Sequence, residues 1–235
     1  MIKAVFFDLD GTLLPMNEDE FVGVYFKLLC KKASKLGYEP NKLINTITKG
    51  IENMYKNDGS CTNEATFWNL FKEVYGEDKL KDIEFFNSFY INEFKETKIT
   101  CKDNPLAKEI VKFCKENVEK TILSTNPIFP YQGTLTRMGF IGLKEDDFDY
   151  ITAYENSSYT KPNPKYFKLL LEKFNLKPEE VILFGNNTLE DAYCAAQVGI
   201  KTYLVDGYII DKLNLVNNFE LIKMEDVIPT IKKHL

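Results

Sequence analysis

The chain has 235 residues, 44% of them hydrophobic, enough to bury one large core or a core with an insertion. Its formal net charge is -5, and Arg137 is the only arginine among 30 basic residues, which argues against a nucleic-acid surface. No apolar stretch approaches the length of a membrane span.

The first element is the run "KAVFF" (3 to 7), whose unbroken apolar character predicts a strand buried on both faces. It is too short for a signal-peptide core and ends in acids. In the continuation "DLDGTLL", Asp8 and Asp10 are two residues apart, so an extended backbone projects both to one side of the strand tip. Carboxylates brought together in this way repel, and a cation or a shared proton relieves the repulsion. Gly11 permits a turn closed to other residues, and Thr12 adds a hydroxyl beside it.

From about 17 to 98 the texture changes to long amphipathic stretches such as "EDEFVGVYFKLLCKKASKLG" and "DIEFFNSFYINEFKE". This predicts a helical insertion of four helices. Its aromatics, including Tyr25, Phe26, Phe67, Trp68, Phe71, Phe85, Phe86 and Phe89, fall mostly at helical core spacing, with a few on the inner face to meet a substrate.

Strand and helix then alternate. "PLAKEIVKFCKEN" is an amphipathic helix with proline in its first turn, and it is followed by the strand "KTILS" (120 to 124). Ser124, Thr125 and Asn126 lie at the tip of that strand, where a hydroxyl and free backbone N–H groups can receive a phosphate oxygen. "YITAY" (150 to 154) reads as a third strand. Lys161 in "SYTKPNPKYF" lies between that strand and a helix starting near Pro164, held by proline-restricted backbone. "VILFG" (181 to 185) is a fourth strand and runs into "NNTLED", bringing Asn186, Glu190 and Asp191 to its tip ahead of a helix, "TLEDAYCAAQVG". "KTYLV" (201 to 205) is a fifth, followed by a short strand and a closing helix.

This alternation predicts a doubly wound α/β fold with a parallel, Rossmann-like sheet. The core covers 1 to 16 and 99 to 235, and the insertion covers 17 to 98. In such a sheet the strand tips meet at the carboxyl edge, where ligands bind. The five cysteines, Cys30, Cys61, Cys101, Cys114 and Cys194, are odd in number and form no CxxC pair, so a cytoplasmic protein with reduced thiols is expected. The single histidine, His234, is the penultimate residue, which excludes a Ser-His-Asp or Cys-His site and any multi-histidine zinc site.

Taken in order, "DLDGT" (8 to 12), Ser124, Lys161 and "GNNTLED" (185 to 191) resemble the motifs of the haloacid dehalogenase-like hydrolase superfamily. The resemblance implies a helical cap in the insertion, Asp8 as nucleophile and Asp10 as general acid and base. It further implies phosphate contacts from Thr12, Ser124, Thr125, Asn126 and Lys161. Mg²⁺ is implied on Asp8, Asp10, Asn186 and Asp191, with Glu190 in reserve. The implied activity is that of a phosphatase for a small phosphorylated metabolite, in a monomer or weak homodimer. A phosphomutase shares both acids, whereas the dehalogenase branch lacks an acid at the position of Asp10. Asn186 departs from the pattern, because an amide stands where the family carries a metal-binding carboxylate. That departure leaves open a binding or regulatory protein that keeps the fold without turnover.

Overall fold

The computed structural model describes all 235 residues. Six parallel strands form one sheet in the order β3-β2-β1-β4-β5-β6. In sequence these are β1 (Ala4–Phe7), β2 (Lys120–Leu123), β3 (Tyr150–Ile151), β4 (Val181–Gly185), β5 (Lys201–Val205) and β6 (Glu220–Ile222). β1 lies between β2 and β4, so the winding direction reverses beside it and opens a crevice at its carboxyl end.

The period of two along β1 explains why the sheet is covered twice. Val5 and Phe7 belong to one buried cluster, and Ala4 and Phe6 belong to a second cluster on the opposite face, with Tyr166, Phe167 and Leu170. The helices that cover the sheet include α5 (Pro105–Asn117), α6 (Tyr131–Phe140), α7 (Lys165–Phe174) and the short α9 (Val227–Lys232).

Between β1 and β2 the chain forms α1 (Glu18–Ala33), α2 (Pro40–Tyr55), α3 (Asn63–Tyr75) and α4 (Ile83–Ile91), with a 3₁₀ segment at 93–100. Asn17 caps α1 by accepting from the Glu20 amide, and Thr62 caps α3 in the same way from Ala65. Of the eight aromatics singled out in the insertion, Tyr25, Phe71, Phe86 and Phe89 are buried, and Phe26, Phe67 and Trp68 pack against the same cluster. That cluster continues into one face of the sheet without a break. The chain leaves and re-enters the sheet region at one place. Met16 and Cys101 pair as an antiparallel bridge, and the Lys102 amide donates to the Pro15 carbonyl at 2.8 Å.

Two elements differ from the sequence expectation. The run "YITAY" yields only the two-residue β3, because Asn156 ends it: its Nδ2 donates to the Ile151 carbonyl and its Oδ1 accepts the Ala153 amide, turning the chain. The expected helix "TLEDAYCAAQVG" begins as a wide π-helical turn, Thr188–Tyr193, and only then narrows into α8 (Cys194–Ala196). Such expanded turns recur where a side chain needs placing at a functional site, and here the turn carries Glu190 and Asp191.

Candidate active site

The tips of β1, β2 and β4 bring Asp8, Ser124 and Asn186 to one edge of the sheet, and the loop after β3 delivers Lys161 beneath them. Lys161 is 1% exposed, and its ammonium donates to Asp8 Oδ1 at 2.8 Å and to Asp191 Oδ1 at 2.5 Å. Burial alone would lower the pKa of this lysine, but the carboxylates of Asp191 and Asp8 outweigh it and hold the pKa well above the ordinary value. Lys161 is therefore a fixed charge set between the two carboxyl groups, of which Asp8 borders the cavity.

Both oxygens of Asp191 are engaged inside the protein. Its second oxygen, Oδ2, takes the backbone N–H groups of Asn186 and Asn187 at 3.1 and 3.0 Å. This sets the loop after β4 and leaves Asp191 holding Lys161 rather than facing the cavity with a free oxygen. A Cβ on Gly185 would come within 2.4 Å of the Asp191 carboxyl carbon, so the close approach requires glycine.

Asp8 and Asp10 have different surroundings. Burial raises the Asp8 pKa from 3.8 to about 8; Lys161 opposes the shift, and the like charges of Asp191 and Asp10 add to it. Asp10 is also raised by burial, against the pull of Arg137 and Lys161. Its Oδ2 lies 3.1 Å from Arg137 Nη1, while its Oδ1 is buried without a hydrogen-bond partner.

Arg137 was legible in the sequence only as the lone arginine. It projects from α6, is 1% exposed, donates to Thr134 Oγ1 at 3.3 Å, and lies flat over the Phe129 ring at 4.2 Å. No motif marks it, and the only available signal was an arginine surrounded by apolar positions in a lysine-rich chain.

Thr12 ties the first tip to the fourth. Its hydroxyl lies 3.2 Å from Asn186 Oδ1 and 3.5 Å from Asp8 Oδ2, so the amide oxygen and a carboxylate oxygen converge on it. The orientation of Asn186 follows from its other end, where Nδ2 donates to the Tyr208 carbonyl at 2.7 Å. Gly11 sits beneath this amide with φ +80°, and a Cβ there would lie 2.2 Å from Asn186 Nδ2.

The remaining predicted residues divide. Thr125 and Asn126 line the cavity, whereas Ser124 is fully buried and its hydroxyl points back to the Phe7 carbonyl at 3.2 Å. Asn126 Nδ2 reaches Glu190 Oε2 at 2.9 Å, and Tyr55 from the end of α2 donates to Glu190 Oε1 at 3.0 Å. Glu190 thus links the helical insertion to the sheet edge. His234 is elsewhere, bonded to Tyr203.

No three Cys, His, Asp or Glu side chains stand together as a metal cluster. The donors that do converge are hard oxygens of Asp8 and Asn186, beside an Asp10 carboxylate with one buried, unpartnered oxygen. Oxygen donors with unrelieved negative charge suit Mg²⁺ and not a soft metal.

A cavity of about 140 Å³ opens over Asp8, Asp10 and Asn186, roofed by α1 and α2. Residues 5–205 match the family model described as haloacid dehalogenase-like hydrolase. The chain is 30% identical over 220 residues to the glyceraldehyde 3-phosphate phosphatase of Pyrococcus furiosus, covering 86% of this chain and 79% of that protein. It is 24% identical to the phosphorylated carbohydrates phosphatase of Thermotoga maritima over the full length of both. Among solved structures, a 2-haloacid dehalogenase from Pseudomonas syringae superposes over both whole chains with a TM-score of 0.66 at 18% identity. A phosphatase from Thermococcus onnurineus does so over 98% of each, with a TM-score of 0.61 at 20% identity. With its parallel sheet, its acids at the β1 tip and a family match across most of its length, the chain belongs to the haloacid dehalogenase-like hydrolases.

Proposed function

We propose that the chain, a phosphoric monoester hydrolase of this family, is a Mg²⁺-dependent phosphatase for a small phosphorylated metabolite, working through an aspartyl-phosphate on Asp8. The observation that carries the reading is the buried Asp8–Lys161–Asp191 cluster directly beside Asp10. A nucleophilic carboxylate held by a fixed cation, with a second acid two residues on, is what two-step phosphoryl transfer asks of a site.

In this reading a carboxylate oxygen of Asp8 attacks phosphorus while the bond to the leaving oxygen breaks, and Asp10 gives that oxygen its proton. The alcohol departs. Asp10, now ionised, takes a proton from water as the water attacks phosphorus, and the bond to Asp8 breaks to release phosphate. Lys161 fixes the Asp8 carboxyl and balances its charge through both steps. Arg137 keeps the Asp10 carboxyl near the ester oxygen, Thr12 holds Asn186 and Asp8 in place, and Thr125, which lines the cavity beside Asn126, offers a hydrogen bond to the phosphoryl group. Asp8, the Asp10 backbone carbonyl and Asn186 would hold Mg²⁺, which supplies charge neutralisation between carboxylate and phosphate. The helical insertion acts as the cap, and Tyr55 carries its contact to Glu190.

The test is hydrolysis of p-nitrophenyl phosphate across a Mg²⁺ titration. Turnover that requires Mg²⁺, with acid-stable labelling of the protein by phosphate absent and hydroxylamine-labile labelling present, supports the reading. Binding of phosphate without any turnover at saturating Mg²⁺ favours the alternative, a binding or regulatory protein, for which Asn186 is the specific reason.

Asn186→Asp tests that residue directly. The added charge lowers the Mg²⁺ concentration for half-maximal activity by roughly ten-fold. The same change turns a donor to the Tyr208 carbonyl into an acceptor, so stability falls by about 1–3 kcal/mol. Both effects are expected in one protein, and a Mg²⁺ titration with a urea melt reads them.

Metal and proton compete for Asp8. Its pKa is higher folded than unfolded, so the folded state holds more protons between 3.8 and about 8. The stability this group contributes is complete at low pH and is lost as pH rises through the folded value. Mg²⁺ is therefore expected to raise the melting temperature more at about pH 8 than at about pH 5, by at least about 2 °C. An equal shift at both values, by scanning calorimetry, contradicts the assignment of Asp8 as a ligand.

A further inference from the structure

The wall of the cavity opposite the acids is apolar. Leaving Asp10, the surface passes over Arg137 to the Phe129 ring stacked on it, and Phe129 meets Tyr25 at 5.6 Å between ring centroids. Tyr25 and Phe26, 5.1 Å apart, and Ile51 complete the cap side. Tyr25, Ile51 and Phe129 also line a second, neighbouring cavity of about 50 Å³, where thirteen of fifteen lining residues are hydrophobic.

The aromatic hydroxyl and indole groups on this wall are engaged with one another, and Asn87 is the one amide that lines the second cavity. Tyr25 and Tyr90 share a hydrogen bond at 3.1 Å, and Trp68 Nε1 donates to the Tyr154 hydroxyl at 3.3 Å. The polar members of the larger cavity instead gather at its acid end. Tyr55, Asn126 and Glu190 are bonded to one another there, and Asn186 and Asp191 are bonded to the loop they stand on. A leaving group directed away from Asp10 therefore meets mainly aromatic and aliphatic carbon at Tyr25, Phe26, Ile51 and Phe129, with Glu18 at the cavity rim and Asn87 in the second cavity as the polar side chains outside the acid end.

We propose that the substrate is a phosphate monoester whose leaving alcohol is apolar, a short alkyl chain or a single ring, seated against Tyr25, Phe26, Ile51 and Phe129. The inference rests on the phosphatase reading and narrows it. Its reaction is hydrolysis: the phosphorus–oxygen bond to the alcohol breaks, the alcohol takes a proton, and water supplies the new oxygen on phosphate. An apolar cavity of about 150 Å³ accepts a benzene-sized group, so a space of about 140 Å³ that also takes the phosphoryl group limits the ester to a few carbons. Sugar phosphates of similar length would strand hydroxyls against carbon, each at a penalty on the order of ten-fold in affinity. Each methylene buried on the same wall gains roughly four-fold.

The experiment compares kcat/KM for n-propyl phosphate with that for glycerol 3-phosphate, which differs by two hydroxyls, and follows the ethyl, propyl and butyl series. At least about ten-fold preference for propyl phosphate, with kcat/KM rising roughly four-fold per methylene, is the expected result. Preference for glycerol 3-phosphate, or a flat series, overturns the proposal while leaving the phosphatase reading intact. If p-nitrophenyl phosphate and all the esters are inert, the phosphatase reading fails instead. Calorimetric binding of n-propylphosphonate against 2,3-dihydroxypropylphosphonate then decides the pocket's preference without turnover, with equal or reversed affinities counting against it. Ile51→Asn is expected to lower the propyl-to-glycerol ratio at least about ten-fold, and an unchanged ratio overturns the assignment of that wall.

Discussion

Asp8→Asn is expected to remove steady-state phosphatase turnover, by about 10⁴-fold or more, in a protein that stays folded. The amide keeps the shape of the carboxyl and an oxygen to accept the Lys161 ammonium, now 2.8 Å from Asp8 Oδ1, but it offers phosphorus no nucleophile. The fold has reason to accept the change. Burial and the like charges of Asp191 and Asp10 make an ionised Asp8 costly, so a neutral side chain removes repulsion as well as chemistry. Urea denaturation near neutral pH is therefore expected to give a midpoint equal to or above that of the parent. A variant that kept turnover, measured with p-nitrophenyl phosphate at saturating Mg²⁺, would exclude Asp8 as the nucleophile.

Lys161→Met has the opposite balance. The methionine fills much of the space of the lysine stem, yet it leaves the buried Asp8 and Asp191 carboxyl groups side by side without a cation. Breaking a buried ion pair by removing one partner costs about 3–5 kcal/mol, and turnover falls on the order of 10³-fold because Asp8 loses both its orientation and its charge balance. The loss depends on pH in a definite direction. With the cation gone, Asp8 loses the charge that opposes its upward shift, so its folded pKa lies further above the unfolded one, and its stability contribution is full at low pH and is lost as pH rises. The deficit against the parent is thus expected to be larger at about pH 8 than at about pH 5. Double replacement with Asp191→Asn recovers part of the stability and none of the turnover. A deficit independent of pH would mean that packing, not charge, is what Lys161 provides.

The doubly wound sheet was readable because its strands are short, apolar on both faces and separated by helices of clear period, and the tips that matter each carry a polar residue straight after the apolar run. Asp8, Asp10, Thr12, Asn126, Lys161 and Asn186 meet for that reason. What sequence could not convey was which way side chains turn at the tip. Ser124 follows β2 as expected, yet its hydroxyl satisfies the Phe7 carbonyl, a contact across 117 positions that no local pattern encodes. Asp191 and Glu190 are adjacent in the chain, and the π-helical turn sends one to Lys161 and the other to Tyr55. Arg137 escaped altogether, since its partner Asp10 is far away in sequence and its own helix looks ordinary. The early end of "YITAY" was missed because a strand propensity says nothing of an asparagine two residues beyond it.

The bridge between Met16 and Cys101 changes how the chain can assemble. β1 must find β2 more than a hundred residues later, a pairing that ordinarily makes loop closure slow. Because the insertion returns to its own starting point, it can fold as a helical knot of local contacts and bring the two ends together before the sheet forms. The effective loop that β1 and β2 then close is the short path across Met16 and Cys101, and closure entropy grows with that path rather than with the residues folded inside it. The same adjacency means that a different helical unit with neighbouring ends could be joined at these two residues, provided that it also matches the apolar surface that runs unbroken from the insertion into the sheet face.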